Sequence, residues 1–281
     1  MSGKLVIVPT PLGNLGDMTL RALEALRAAD TVCAEDTRVT GKLLVALGVE
    51  GKRLERLDEN VIGERAAEIT ARIIAGEVIA YCTDAGMPGV SDPGLRLVRT
   101  ARTAGVEVEV LPGPTAVATA YVSSGCVDTA FYFGGFLPRK DAARKTLLTE
   151  LKPLKAALVF YESPNRLVSA LESIADVMPL REVAVCRELT KLHEEVSRGP
   201  VLQVLAQFAA RDAVKGEVVI VVDGPNEAER EAQIAEVTAD AATRARELAE
   251  EGVRPKDITR RLVEEFGISR NEAYDMALHA K

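Results

Sequence analysis

The stretch "VIAYCTDAGMPGVSDPG", residues 78–94, decides how the chain is read. It opens on an apolar, strand-like run, Val78-Ile79-Ala80-Tyr81-Cys82, and leads into Leu95-Arg96-Leu97-Val98, which reads as a helix. A strand-to-helix connector needs about two to six residues. This one is longer, and residues 82–94 hold three glycines, two prolines and two aspartates. A Gly-rich loop after a strand has the composition of a ligand-binding wall, since open α/β sheets gather ligands at the carboxyl ends of their strands.

The same alternation extends in both directions. Upstream lie the strand-like Lys4-Leu5-Val6-Ile7-Val8, a helix from about Asp17 to Ala28, and the strand-like Thr31-Val32-Cys33-Ala34. Helices near Arg38–Leu47 and Gly63–Ala75 follow, and downstream come a helix over Pro93–Ala104 and a strand at Val106–Leu111. This pattern predicts an α/β lobe with a largely parallel sheet. A second block carries strands at Ala130–Phe133, Ala156–Tyr161, Val183–Cys186 and Val218–Val222, with helices at Lys140–Leu151, Pro164–Met178 and Pro200–Ala210. Its closer strand spacing after Met178 predicts a mixed or antiparallel sheet.

From about Pro225 only helical patterns remain. Ile258, Leu262, Val263 and Phe266 form one apolar face, Gly267 ends that helix, and Ser269-Arg270-Asn271-Glu272 has the form of a capping box. The next helix would turn Ala273, Ala277 and Leu278 inward. The pair resembles a helix-turn-helix, with a plain helical cap as the alternative. The expected organisation is thus an α/β lobe over residues 1–122, a second α/β lobe over 123–225 with a cleft between the two, and a helical extension over 226–281.

Composition excludes several chemistries. The four cysteines, Cys33, Cys82, Cys126 and Cys186, lie far apart beside apolar runs and read as core residues, and the histidines are His193 and His279 alone. Clustered Cys/His metal sites and a Ser-His-Asp triad are thereby disfavoured, and no metal site is expected. The first loop, Pro9-Thr10-Pro11-Leu12-Gly13-Asn14-Leu15-Gly16-Asp17, lacks GxGxxG, and no Walker A motif occurs. The net charge of −7 makes the chain as a whole no magnet for nucleic acid, so an RNA substrate would need local patches. No apolar run is long enough to span a bilayer and no secretory signal is visible, so the chain reads as soluble and cytoplasmic.

Three junctions, Asp92-Pro93, Gly113-Pro114 and Ser163-Pro164, place a capping-type residue before a proline expected in the first helical turn. Glu35, Asp36, Asp84, Asp92 and Glu162 would line the mouth of the cleft and favour a compact, cationic ligand without a triphosphate.

In order, the segments "VPTPLGNLGDMTLRAL" (8–23), "AEDTR" (34–38), "YCTDAGMPGVSDPG" (81–94), "LPGPTAVATA" (111–120), "FGGFLPRK" (133–140), "FYESPNR" (160–166) and "RELTKLHEE" (187–195) resemble the tetrapyrrole-methylase superfamily. They are most similar to its ribosomal RNA small subunit methyltransferase I branch. The resemblance implies a two-lobed enzyme, usually a homodimer, with S-adenosylmethionine bound in the cleft. It implies 2′-O-methylation of the ribose of a cytidine in the decoding region of 16S ribosomal RNA, free or in the small subunit. Carried over by motif, Pro11, Leu12, Asp84, Ala85, Gly86, Val90, Thr115, Ala116 and Glu162 would contact the cofactor. The glycines of the wider family's first loop are mostly missing, a departure that fits the ribosomal branch.

A 2′-hydroxyl is a weak nucleophile, so the catalytic candidates are Glu35, Asp36 and Lys191. For Asp36 the alternative is a helix N-cap paired with Arg38, and for Asp84 a turn that merely shapes its loop. Arg139, Lys140, Arg144 and Lys145, together with Arg260 and Arg261 of the tail, are the expected RNA contacts. Two rival readings stay open: a methylase of a small tetrapyrrole, and an RNA-binding protein that has kept the cleft but lost activity.

Overall fold

A computed structural model of the chain describes residues 3–280, the side chain of Gln233 excepted. The first sheet is built from β1 (Lys4–Ile7), β2 (Thr31–Ala34), β3 (Arg53–Arg56), β4 (Val78–Cys82) and β5 (Glu107–Val110) in the order β3-β2-β4-β1-β5. Every pairing in it is parallel. The central strands β1, β2 and β4 are apolar on both sides because helices cover both faces. Leu5 and Ile7 of β1 point to α3 (Ile62–Ile74) and α4 (Gly94–Thr103). Val6, with the neighbouring Val8, faces α1 (Leu20–Ala28) and α2 (Thr37–Ala46). The chain therefore leaves the adjacent strands β1 and β4 towards opposite faces, which opens a crevice at their carboxyl ends.

The second sheet runs β6 (Phe131–Phe136), β7 (Ala157–Glu162), β10 (Val218–Val222), β8 (Glu182–Arg187) and β9 (Glu195–Pro200) in that order. It is mixed: β6 pairs parallel with β7, and the other pairings are antiparallel. Helix α5 (Ala116–Ser123) packs Val117 and Ala120 on one face, against Val159, Cys186 and Val221. On the far side α8 (Val201–Ala209) packs against β8, β9 and α7 (Leu167–Val177). Helix α6 (Asp141–Leu151) links β6 to β7.

The chain forms two compact units. Both sheets belong to one, which comprises the residues up to Thr146 and Ala156–Asp223; the other joins Leu147–Lys155 to the chain from Gly224 onward. The second unit contains α9 (Glu227–Glu250), α10 (Pro255–Phe266) and α11 (Arg270–His279) around Ala241, Ala245, Leu248, Ile258, Leu262, Ala273 and Ala277. Ser269 and Glu272 form the expected capping box, and Gly267 ends α10 in the left-handed conformation. Leu278 is a correction: it is half exposed, and Met276 packs on the cluster instead. Among the described residues no helix is long and apolar enough to cross a membrane.

Two proline junctions differ from expectation. Pro93 precedes α4, and the Asp92 carboxylate gathers the backbone N–H groups of Gly89 (2.6 Å), Val90 (3.0 Å) and Gly94 (2.7 Å). Pro114 lies outside α5, whose N-cap is Thr115. Only Pro164 starts a helical turn, a 3₁₀ segment over Pro164–Arg166 ahead of α7.

Candidate active site

A cleft of about 490 Å³ opens where the carboxyl ends of the first sheet face the second. The loop after β1 supplies Leu12, the loop after β4 supplies Thr83–Gly86 and Val90–Asp92, and Thr115 and Ala116 open α5. The second sheet adds Tyr161 and Glu162 from β7, Val218 and Val219 from β10, and Glu217 just before it. The presence of β10 follows from its antiparallel return, because Val218, at its start, pairs with Glu162, at the end of β7.

Backbone pairing fixes the two principal loops to each other. Thr10 and Gly86 exchange both backbone hydrogen bonds at 3.0 Å, and the Thr10 hydroxyl donates to the Thr83 carbonyl at 3.2 Å. Gly86 sits at φ +82°, and a Cβ there would lie 3.0 Å from Leu12 Cδ2. Glycine is thus required both for the turn and for the close approach of the loops.

The cleft is acidic. Glu35, Asp84, Asp92, Glu162 and Glu217 line it, and its described lining contains no Lys, Arg or His. Burial raises the pKa of Glu35 above the ordinary carboxylate value, and the neighbouring charges of Asp84 and Asp92 add to the effect. Asp84 and Asp92 are also raised, chiefly by burial. Asp84 accepts a hydrogen bond from the Asp36 backbone N–H at 3.1 Å, tying the second loop to the end of β2. Glu162 is buried; one of its oxygens accepts from the Ser163 N–H (2.7 Å) and from Arg166 (2.5 Å). Its other oxygen, Oε2, and the Thr83 hydroxyl are buried without a hydrogen-bond partner.

The structure separates the nominated residues. Leu12, Asp84, Ala85, Gly86, Val90, Thr115, Ala116 and Glu162 all line the cleft, as does Glu35. Pro11 is buried and is not among the residues of that lining. Asp36 N-caps α2, accepting from the Arg38 N–H at 2.8 Å and pairing with the Arg38 guanidinium at 2.6 Å, which holds its carboxyl far below the usual range. It borders a second hollow of about 610 Å³, which also includes Glu35.

Lys191 pairs with Glu188 (2.9 Å) and Glu217 (3.1 Å). Burial disfavours its charge, yet these two carboxylates hold its pKa above the usual lysine value, which favours the ammonium form. A Cβ on Gly13 would come within 2.4 Å of the Lys191 stem, so Lys191 lies against the first loop and steadies Glu217 in the wall.

Arg144 differs from its basic neighbours. It is buried, with its guanidinium donating to the Ser173 hydroxyl (2.7 Å) and the Ser169 carbonyl (3.0 Å). Lys145 pairs with Asp141 and Asp176, while Arg139, Lys140, Arg260 and Arg261 are exposed. The strand β10 was legible in the sequence but its part in the site was not, because nothing in Gly216-Glu217-Val218 signals a site until the antiparallel pairing is known.

A family model of tetrapyrrole (corrin/porphyrin) methylases matches residues 4–205. A protein of Escherichia coli O157:H7 named ribosomal RNA small subunit methyltransferase I is 40% identical over 278 residues, covering 98% of this chain and 95% of its own. The chain belongs to this family of methylases. A like-named protein of Micromonospora olivasterospora is 39% identical over 98% of this chain and 86% of its own. Another, of Thermotoga maritima, is 43% identical over 222 residues, which make up 99% of its length but 79% of this methylase. Among solved structures, a diphthine synthase superposes with a TM-score of 0.62 at 16% identity over 79% of this chain and 90% of its own. A uroporphyrin-III-C-methyltransferase of Thermus thermophilus gives 0.55 at 22% identity over 79% and 94%. These two likenesses show the shared fold.

Proposed function

We propose that this methylase transfers a methyl group from S-adenosylmethionine to the ribose 2′-hydroxyl of a cytidine in the decoding region of 16S ribosomal RNA. The observation that supports it best is the convergence of residues from the family-like loops on one acidic cleft, in a chain whose full-length relatives carry the ribosomal name. Residues of the cleft fit that donor. Carboxylates without a lining cation suit its sulfonium and ammonium charges, and the unpaired Thr83 hydroxyl and Glu162 Oε2 await polar partners. Bound there, S-adenosylmethionine supplies a methyl carbon already activated by its sulfonium.

The chain's own residues orient the partners and handle the proton. Glu35, common to both hollows, takes the proton of the attacking hydroxyl on its carboxylate. Asp36 holds the start of α2, and Lys191 positions the wall through Glu217. Exposed Arg139, Lys140, Arg260 and Arg261 meet RNA phosphates. The same reading assigns residues 1–122 and 123–225 to the two walls of the cleft, assigns 226–281 to RNA, and places the protein in the cytoplasm as a homodimer. Exposed Val122, Val127, Phe131 and Tyr132, on and beside the edge strand β6, supply an apolar face for a second copy.

Mass mapping of 16S ribosomal RNA from cells with and without the gene tests the reaction. The expected result is one ribose lacking its methyl group in the deletion strain. Identical maps would overturn the proposal.

A further inference from the structure

The second hollow differs from the first in carrying cations beside its carboxylates Glu35, Asp36, Asp58 and Glu59. It is walled by the carboxyl ends of β2 and β3, and it holds Arg38 and Arg56 as well as carboxylates. Those carboxylates are largely occupied. Asp36 binds Arg38 and caps α2, while Asp58 binds Arg56 and accepts from the Asn60 backbone N–H at 3.1 Å. The pairing orients both guanidinium groups without covering them: 87% of the Arg38 side chain and 66% of the Arg56 side chain stay exposed. The Asn60 side chain is exposed too and makes no hydrogen bond to a described residue.

We infer that this hollow receives the nucleotide to be methylated, with Arg38 and Arg56 holding its phosphates and base face and Asn60 reading the base edge. Three physical arguments lead there. First, the cleft's described lining has five carboxylates and no cation, whereas the hollow, though it also holds four carboxylates, offers two exposed guanidinium groups as the nearest cations for an anionic strand. Second, Glu35 belongs to both walls, so a ribose lying at the seam presents its hydroxyl to that carboxylate while its base points away from the cleft. Third, an unstacked RNA base is recognised by stacking on a flat group and by hydrogen bonds along its edge. Arginines fixed by carboxylates provide such planes, and a free amide supplies a donor and an acceptor together. With a volume of about 610 Å³, the hollow is in the range of small-ligand sites.

The inference rests on the ribosomal RNA reading, and its test separates the two. Asn60→Ala and Arg38→Ala, made in the full chain, are assayed for methyl transfer to small ribosomal subunits, for S-adenosylmethionine affinity by calorimetry, and for thermal midpoint. Loss of a good base-edge or phosphate contact is expected to raise KM for the subunit about tenfold for each variant, with cofactor affinity and thermal midpoint as in the wild type. An unchanged KM would overturn the inference while leaving the reaction standing. If the wild type moves no methyl to any ribosomal particle, the ribosomal reading fails and the hollow is judged by nuclear magnetic resonance with cytidine 5′-monophosphate as probe. Shifts of the Asn60 side-chain amide and of the Arg38 and Arg56 backbone amides, the latter weakened in Asn60→Ala, support a nucleotide subsite, and no shift anywhere in the hollow overturns it.

Discussion

A carboxylate withdrawn from water and set near others holds its proton more tightly, and Glu35 in the acidic cleft is raised first by burial and then by the charges of Asp84 and Asp92. As the base, it makes methyl transfer fail as pH falls through its raised pKa, at a higher pH than an ordinary glutamate would. Glu35→Gln is expected to slow single-turnover transfer by about two orders of magnitude and to abolish that acid limb in a pH–rate profile. The same substitution acts oppositely on stability. With its pKa raised in the folded state, Glu35 favours folding least once ionised, so stability is lost as pH rises through the interval between its unfolded and folded values. Denaturant titrations should find Glu35→Gln more stable than the wild type at pH 7 and equal to it at pH 3. At Gly86 the constraint is conformational: alanine at φ +82° is expected to destabilise by about 1–3 kcal/mol, measured in the same titrations, and to weaken cofactor binding.

At the level of elements, α6 shows how far sequence carries and where it stops. Its extent was legible from composition, yet the four basic residues at its start look alike in sequence and differ in the fold. Arg139 and Lys140 are exposed, whereas Arg144 points inward and ties together Ser169, Ser173 and the Pro138 carbonyl. Arg144→Ala strands those buried groups and is expected to cost about 3 kcal/mol of stability, while Arg139→Ala leaves the thermal midpoint unchanged and weakens RNA binding in a filter assay. The strands that went unread, β3 ("RLER") and β9 ("EVSRGP"), are both sheet edges. Edge strands carry charge and lack a clean apolar pattern, so hydrophobic periodicity passes over them. Central strands, buried on both faces, were plain. The loops of the cleft were legible as Gly/Pro-rich breaks after strands, whereas Glu217 and Val219 were not, because the signal that places them is a pairing between distant segments.

For the whole molecule, the helical unit and the apolar face of β6 make separable predictions. Deleting residues 226–281 is expected to raise KM for the small subunit with little change in cofactor affinity. Replacing Val127 and Phe131 with glutamate should convert a dimer to a monomer in sedimentation experiments. The place of β10 has a consequence for biosynthesis. This strand lies third of five in its sheet, between β7 and β8, and its first residues form part of the cleft, yet the chain reaches it only at Val218. A nascent chain can complete its first sheet early in translation, but it has no whole methyl-donor site until Val222 has left the exit tunnel. Prematurely terminated products ending before Val218 should therefore retain the parallel lobe and bind no cofactor, so an abortive fragment cannot compete for the donor.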